Sequence, residues 1–236
     1  VFLSDEVLLR VSETSTDGGI AGELNKVKTV AEARASKHWP LFKKAMEEEI
    51  MGKMQNQAWK VVRRPRDKKV HKTRWVFAIK LNEDNSINTV KARFVACGYS
   101  QQEGKDYESV FAATLPGVSF RAMASVIAYE NLCTDHIDGV KAFTQADSDV
   151  DLYVEMTEGF STDEKGIDLR PLFCLLLLKA LEGIKQGAFL WAKLNRAAWL
   201  KLGCKSWLNE TNLYFHSATG IRVGVFADDT IVGFKE

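Results

Sequence analysis

Cysteine, proline and histidine are each present only four times in 236 residues. The cysteines (Cys97, Cys133, Cys174, Cys204) stand far apart with no C-x-x-C pair, so neither a zinc ribbon nor a disulfide scaffold is expected. Buried, reduced thiols in an intracellular protein are the reading that remains. No hydrophobic run is long: residues 172–178 form the longest, far too short to span a bilayer, and no membrane partner is expected. The start, VFLSDEVLLR, carries an acid pair where a signal peptide needs a basic region, and it lacks an initiator Met, as a piece of a longer protein would. There is no internal repeat and no phosphate-binding G-x-x-x-x-G-K loop. Nor is there an excess of either charge: 32 Lys and Arg face 31 Asp and Glu, a formal +1. With 46% hydrophobic and 27% charged residues, the chain has the composition of a globular protein, which excludes a disordered tail, a collagen-like fibre and a low-complexity array. The length suits one large domain or two small ones.

What is present is organised. Residues 12–19, SETSTDGG, are polar and aperiodic, and residues 1–30 read as a poorly ordered linker ahead of a domain at 31–236. From Ala31 a helical stripe of Trp39, Phe42, Met46, Ile50 and Met54 marks a core face. Short β-like runs follow at 58–62, 74–81 and 87–96, the last two joined by the polar turn NEDNS as a hairpin. Residues 118–132 read as a helix, 133–138 as a strand ending in an acid, and 152–156 as a short strand. Residues 186–202 form a helix with Phe189, Trp191, Leu194, Ala198 and Leu202 available for burial, and 212–232 form a hairpin.

The neutral total conceals polarity. Residues 60–93 hold eleven Lys and Arg against three acids; residues 135–168 hold ten acids against Lys141 and Lys165. Either run alone is an ordinary solvated face. Together they suit a basic surface that holds a polyanion above an acidic patch that holds cations.

Asp228-Asp229 is the sharpest chemical feature, flanked by Ile221, Val223, Val225, Phe226, Ile231 and Val232. Adjacent carboxylates at the tip of a buried hairpin repel each other unless a cation neutralises them, and Mg²⁺ favours carboxylate oxygens combined with phosphate. An isolated pair is more often a solvated turn. Asp138, at the end of CTDHID, could meet the pair across neighbouring strands, as a two-metal phosphoryl-transfer site requires; it reads equally well as a helix N-cap.

Five blocks, in order, resemble the reverse transcriptase domain of copia-type (Pseudoviridae) retrotransposon polyproteins. WPLFKKAMEEEIMGKMQNQAWKVVRRP is similar to that family's lead-in, and RWVFAIKLNEDNSINTVKARFVACGYSQQEGKDYESVFAAT to its W-V-F-K … K-A-R-L-V-A-x-G-x-x-Q block. IDGVKAFTQADSDVDLYVEMTEGF resembles D-V-x-x-A-F-L-x-G, KALEGIKQGAFLW resembles K-x-L-Y-G-L-K-Q-x-P-R-x-W, and FADD stands where the family has Y-V-D-D.

The resemblance implies an α+β fold of fingers and an antiparallel palm sheet with packed helices, truncated after the Asp-Asp hairpin, without thumb or RNase H. It implies that Asp138, Asp228 and Asp229 are catalytic and hold two Mg²⁺ ions, or Mn²⁺. It implies that Lys80 and Arg93 meet the triphosphate, that Phe143 presses on the sugar, and that Lys185 and Gln186 line the nucleotide pocket. The implied partners are an RNA template, a DNA primer and dNTPs, within a polyprotein carrying integrase upstream and RNase H downstream. The implied location is a cytoplasmic virus-like particle or the nucleus. Departures from the pattern are Glu182 for Tyr, Ala188 for Pro, Phe189 for Arg, Thr144 for Leu, and Ala112-Ala113 for Pro-Val. They read as drift in an old element copy, so a degenerate fragment that keeps the fold and binds nucleic acid is the alternative to an RNA-directed DNA polymerase. A metal-dependent nuclease is a further alternative that nothing in the sequence favours, because no general-base histidine is expected near either acid block.

Overall fold

The computed structural model describes residues 27–84, 86–139, 141–207 and 210–235. Most of the expected linker therefore lies outside the described residues. Its last residues do not behave as a linker: Thr29 caps helix α1 (Val30–Ala35) in a reciprocal capping box with Glu32, and Val30 is buried in the core. The ordered domain thus begins before residue 31.

Helix α2 (Trp39–Gln55) is separated from α1 by a short break, and Pro40 lies in its first turn, where a missing N–H costs nothing. Phe42, Met46 and Ile50 are buried as the stripe predicts, but Met54 is 62% exposed. The stripe drifts off the core at its last turn because Lys53, not Met54, turns inward there.

Three sheets follow. The first has the order β1-β7-β6-β2, built from β1 (Trp59–Arg63), β7 (Phe173–Leu177), β6 (Tyr153–Val154) and β2 (Val70–His71), antiparallel except for the β2–β6 pair. Strand β7 lies within the apolar run 172–178, whose continuous hydrophobicity matches a strand covered on both faces. The second sheet is the two-stranded hairpin β3 (Thr73–Leu81) and β4 (Ile87–Ala96). Its inner face carries Trp75, Phe77, Phe94 and Ala96, and the rings of Trp75 and Phe94 sit 5.8 Å apart in the main core. The third sheet has the order β5-β11-β10-β9-β8, from β5 (Cys133–Asp138), β11 (Asp229–Phe234), β10 (Arg222–Phe226), β9 (Glu210–Phe215) and β8 (Lys205–Trp207), antiparallel throughout.

The third sheet packs between two helices. Met123, on α3 (Gly117–Tyr129), lies over Gly224, and Trp199, on α4 (Gly187–Lys201), packs with Tyr214, Val223 and Val225 on the other face. The burial expected for α4 is only partly met. Leu190 is its deeply buried side chain, whereas Leu194, Ala198 and Leu202 are exposed. The helix lies against the edge of the core rather than across it, so its buried stripe is narrow. Among the four cysteines, Cys97, Cys174 and Cys204 are buried as expected, but Cys133 is exposed. Among the described residues no helix is long and apolar enough to cross a membrane.

Two family-like blocks meet backbone to backbone. Ala96 N donates to Glu182 O at 2.8 Å and Gly98 N to Gly183 O at 3.1 Å. Gly183 has φ +88°, and a Cβ there would lie 2.2 Å from Ala96 O. Replacing Gly183 with Ala imposes left-handed strain and a clash with backbone that has no side chain to move aside. The Gly183→Ala variant is therefore expected to lose roughly 2–4 kcal/mol in urea unfolding, from strain plus overpacking.

Candidate active site

Sheet register brings the distant acids together. Strands β5 and β11 are neighbours, and Asp138 stands directly across from Asp229, so their side chains share one face. Phe226 pairs with Asp229, which leaves Ala227 and Asp228 as the two-residue turn. That turn is held from two sides. Gly139 N donates to Asp228 O at 3.1 Å, joining it to the end of β5. Trp191 Nε1 on α4 donates to Ala227 O at 2.9 Å. Ala227 has φ +56°, a left-handed conformation that a residue with a Cβ adopts at a cost. Asp138 caps no helix: the short 3₁₀ helix Ala142–Gln145 has Lys141 as its N-cap.

The expectation of a buried pair is corrected. Strand β10 is buried through Val223, Gly224 and Val225, but Asp138, Asp228 and Asp229 are all exposed. The desolvation argument for a neutralising cation therefore has no force here. Asp229 Oδ1 instead lies 3.0 Å from His136 Nε2. His136 was not singled out in the sequence, although it lies two residues before Asp138 on a strand and so shares its face. It also supplies a histidine next to the acid blocks, where the nuclease alternative had none. In donor chemistry the three carboxylates suit Mg²⁺, which takes hard oxygen ligands. As arranged, no three His, Cys, Asp or Glu side chains among the described residues converge closely enough to hold an ion. On this face a cavity of about 380 Å³ is lined by Leu115, Phe120, His136, Phe226 and Asp229, mostly apolar with the His136–Asp229 contact at its rim.

The cations lie on a different sheet. Register places Arg93 opposite Val76, Lys91 opposite Ala78 and Lys80 opposite Thr89, so the three basic residues share the exposed outer face of the β3–β4 hairpin. Phe143, on the 3₁₀ turn, is half-buried against the main core close to Gly187. Lys185 and Gln186 part company. Lys185 is exposed, its Nζ 3.2 Å from Tyr107 Oη and 5.0 Å from that ring's centre. Gln186 is fully buried: its Nε2 donates to Asp106 O at 2.9 Å and its Oε1 accepts from Gln101 Nε2 at 2.9 Å. Both the oxygen and the nitrogen of its amide are thus engaged within the protein.

The departures are not loose ends. Phe189 packs against the main core, and Thr144 is buried with its hydroxyl accepting from Asn56 Nδ2 at 3.2 Å. Glu182 meets the ammonium of Lys53, which is fully buried. Nothing in the structure explains Ala112 and Ala113.

Beside this region His71 is buried, its Nδ1 2.7 Å from Ser100 Oγ and its Nε2 3.5 Å from Asp106 Oδ2 without hydrogen-bond alignment. Burial holds its imidazole below the usual histidine range; Asp106 opposes this and Lys69 reinforces it.

The family described as reverse transcriptase (RNA-dependent DNA polymerase) matches residues 56–236. Similar proteins include the retrovirus-related Pol polyprotein from transposon RE1 of Arabidopsis thaliana, 29% identical over 87% of this chain and 14% of its own length. Another is the retrovirus-related Pol polyprotein from transposon TNT 1-94 of Nicotiana tabacum, 32% identical over 63% of this chain and 11% of its own length. The chain thus spans a small fraction of these relatives.

Two measurements check this description. The unfolded imidazole titrates near about 6.5 and the folded one below it, so the folded state binds fewer protons. His71 is therefore expected to lower stability as the pH falls below that value, and His71→Asn should flatten the urea-midpoint profile there. Replacing Ala227 with Gly relieves the left-handed turn and should raise stability by about 0.5–1 kcal/mol; an unchanged or lower midpoint would show that the turn carries no strain.

Proposed function

The chain belongs to the reverse transcriptase (RNA-dependent DNA polymerase) family, and we propose that it is the RNA-directed DNA polymerase domain of a copia-type Pol polyprotein, adding dNTPs to a primer 3′-hydroxyl on an RNA template. The observation that carries this reading is the β5–β11 register, which pairs Asp138 with Asp229 beside the Asp228 turn. In this reading β3–β4 belongs to the fingers and the five-stranded sheet to the palm.

The chain's own residues divide the work. Asp138, Asp228 and Asp229 would hold Mg²⁺, which when bound neutralises charge on the transferring phosphate. Lys80 and Arg93, on one exposed hairpin face, bind and orient the triphosphate, their charges meeting the phosphate oxygens. Phe143, held against the core, offers an aromatic edge to the sugar and disfavours a 2′-hydroxyl. Lys185 adds a cation beside Tyr107. Phosphoryl transfer asks the protein mainly for positioning and charge neutralisation, and this inventory supplies both.

A second reading, a fold-retaining nucleic-acid binder without catalysis, is favoured by one observation: Asp229 is engaged by His136, and among the described residues no three ligands converge. Primer extension separates the two. With poly(rA)/oligo(dT), Mg²⁺ and dTTP, the polymerase reading expects incorporation that falls by at least about a hundredfold in Asp228→Asn, as loss of a charge-stabilising group in a polar site does. Hybrid binding with no incorporation above the Asp228→Asn background would favour the second reading.

A further inference from the structure

Helix α2 ends in a polar turn driven into the core. Lys53 is 0% exposed, an unusual place for a lysine. Its Nζ lies 3.2 Å from Glu49 Oε1 on the same helix and contacts Glu182 Oε2 from a turn 129 positions away in sequence. Glu49 Oε1 also accepts from Phe94 N of β4 at 3.1 Å. One turn further on, Asn56 Nδ2 donates to Thr144 Oγ1 at 3.2 Å, and Thr144 Oγ1 donates back to Lys141 O at 2.9 Å. Lys141 itself lies across Gly52: a Cβ on Gly52 would fall 1.3 Å from Lys141 Nζ.

Three separate segments are thereby fastened to one helix end. Each carries, within three residues of its anchor, a side chain read above as touching nucleotide or nucleic acid. Arg93 adjoins Phe94, Phe143 adjoins Thr144, and Lys185 follows Glu182 by three. Two of the anchors, Thr144 and Glu182, are departures from the family pattern.

We propose that Lys53 is a positioning residue whose buried ammonium, through Glu49 and Glu182, fixes the spacing between the strand carrying Arg93 and the turn carrying Lys185, and so the geometry of the polyanion-binding face. This rests on the reading of that face as a nucleic-acid surface. A buried ammonium between two carboxylates tolerates little displacement, because any movement leaves a desolvated charge unpaired. Lys53 touches no solvent and so no phosphate. Its removal should therefore weaken binding without changing how many phosphates are contacted.

The test measures binding of a fluorescein-labelled oligo(rA)/oligo(dT) hybrid by anisotropy at several salt concentrations, alongside thermal melting of the same samples. Lys53→Met is expected to melt roughly 5–15 °C lower. At temperatures where it is fully folded, it should bind about tenfold more weakly, with the wild-type slope of log K against log salt. Glu182→Gln should shift affinity in the same direction. If Lys53→Met does not fold, Lys53→Met/Glu182→Leu removes the ammonium together with its Glu182 partner, leaving Glu49 on its bond from Phe94 N, and weakened affinity with the wild-type slope is again the expected result. Wild-type affinity in the folded variants would reduce Lys53 to a stability element and overturn the proposal. Arg93→Glu tests the underlying reading by itself: a slope shallower by about one phosphate contact supports it. An unchanged slope and affinity in Arg93→Glu would overturn that reading and the proposal with it, whereas a shallower slope beside intact binding in the Lys53 variants would overturn the proposal alone.

Discussion

The architecture depends on the close approach of two backbones, where the end of β4 meets the turn at residues 182–183. Ala96 and Gly98 donate to the carbonyls of Glu182 and Gly183, and at the second contact both residues are glycines, so no side chain intervenes there. This contact joins the end of β4 to the turn that leads into α4. It also brings Glu182 within reach of Lys53 and places Gln186 against Gln101. A buried lysine between carboxylates contributes little net stability against an apolar alternative, but breaking the pair costs about 3–5 kcal/mol, so its main effect is to forbid other arrangements.

Charge is segregated onto different supports. The basic face belongs to a two-stranded hairpin whose other face packs aromatic rings into the main core, and the acids sit at the ends of β5 and the β10–β11 turn. Near-neutral total charge and strong local charge are compatible because the basic and acidic side chains stand on separate sheets, each backed by its own apolar cluster. The aspartates stand in water at the sheet's end, so the apolar sequence around them was a poor guide to their burial.

Much of the local structure was legible. The strand 133–138, the hairpin 73–96 and the paired strands around Asp228 carry β-branched residues and polar turns that define their bounds closely. The α2 stripe was legible to Ile50 and misread at Met54, since periodicity cannot show that a lysine with two carboxylate partners takes the inward position. The α4 stripe was misread in the same way, because a helix at the margin of a core buries fewer positions than its apolar content suggests. His136 could have been found from strand alternation; Lys53 could not.

The sequence by itself determined the element types, the order of the blocks and which residue types were available for phosphate and metal chemistry, because these follow from periodicity, turn residues and motif spacing. Tertiary structure decided which of those residues meet. Asp138 faces Asp229, Gln186 is spent on a buried amide pair, and Glu182 and Thr144 are satisfied by the end of α2. The reason is physical: hydrogen bonds and ion pairs between positions far apart in the chain depend on register and packing, and a linear pattern carries the side chains but not the distances between them.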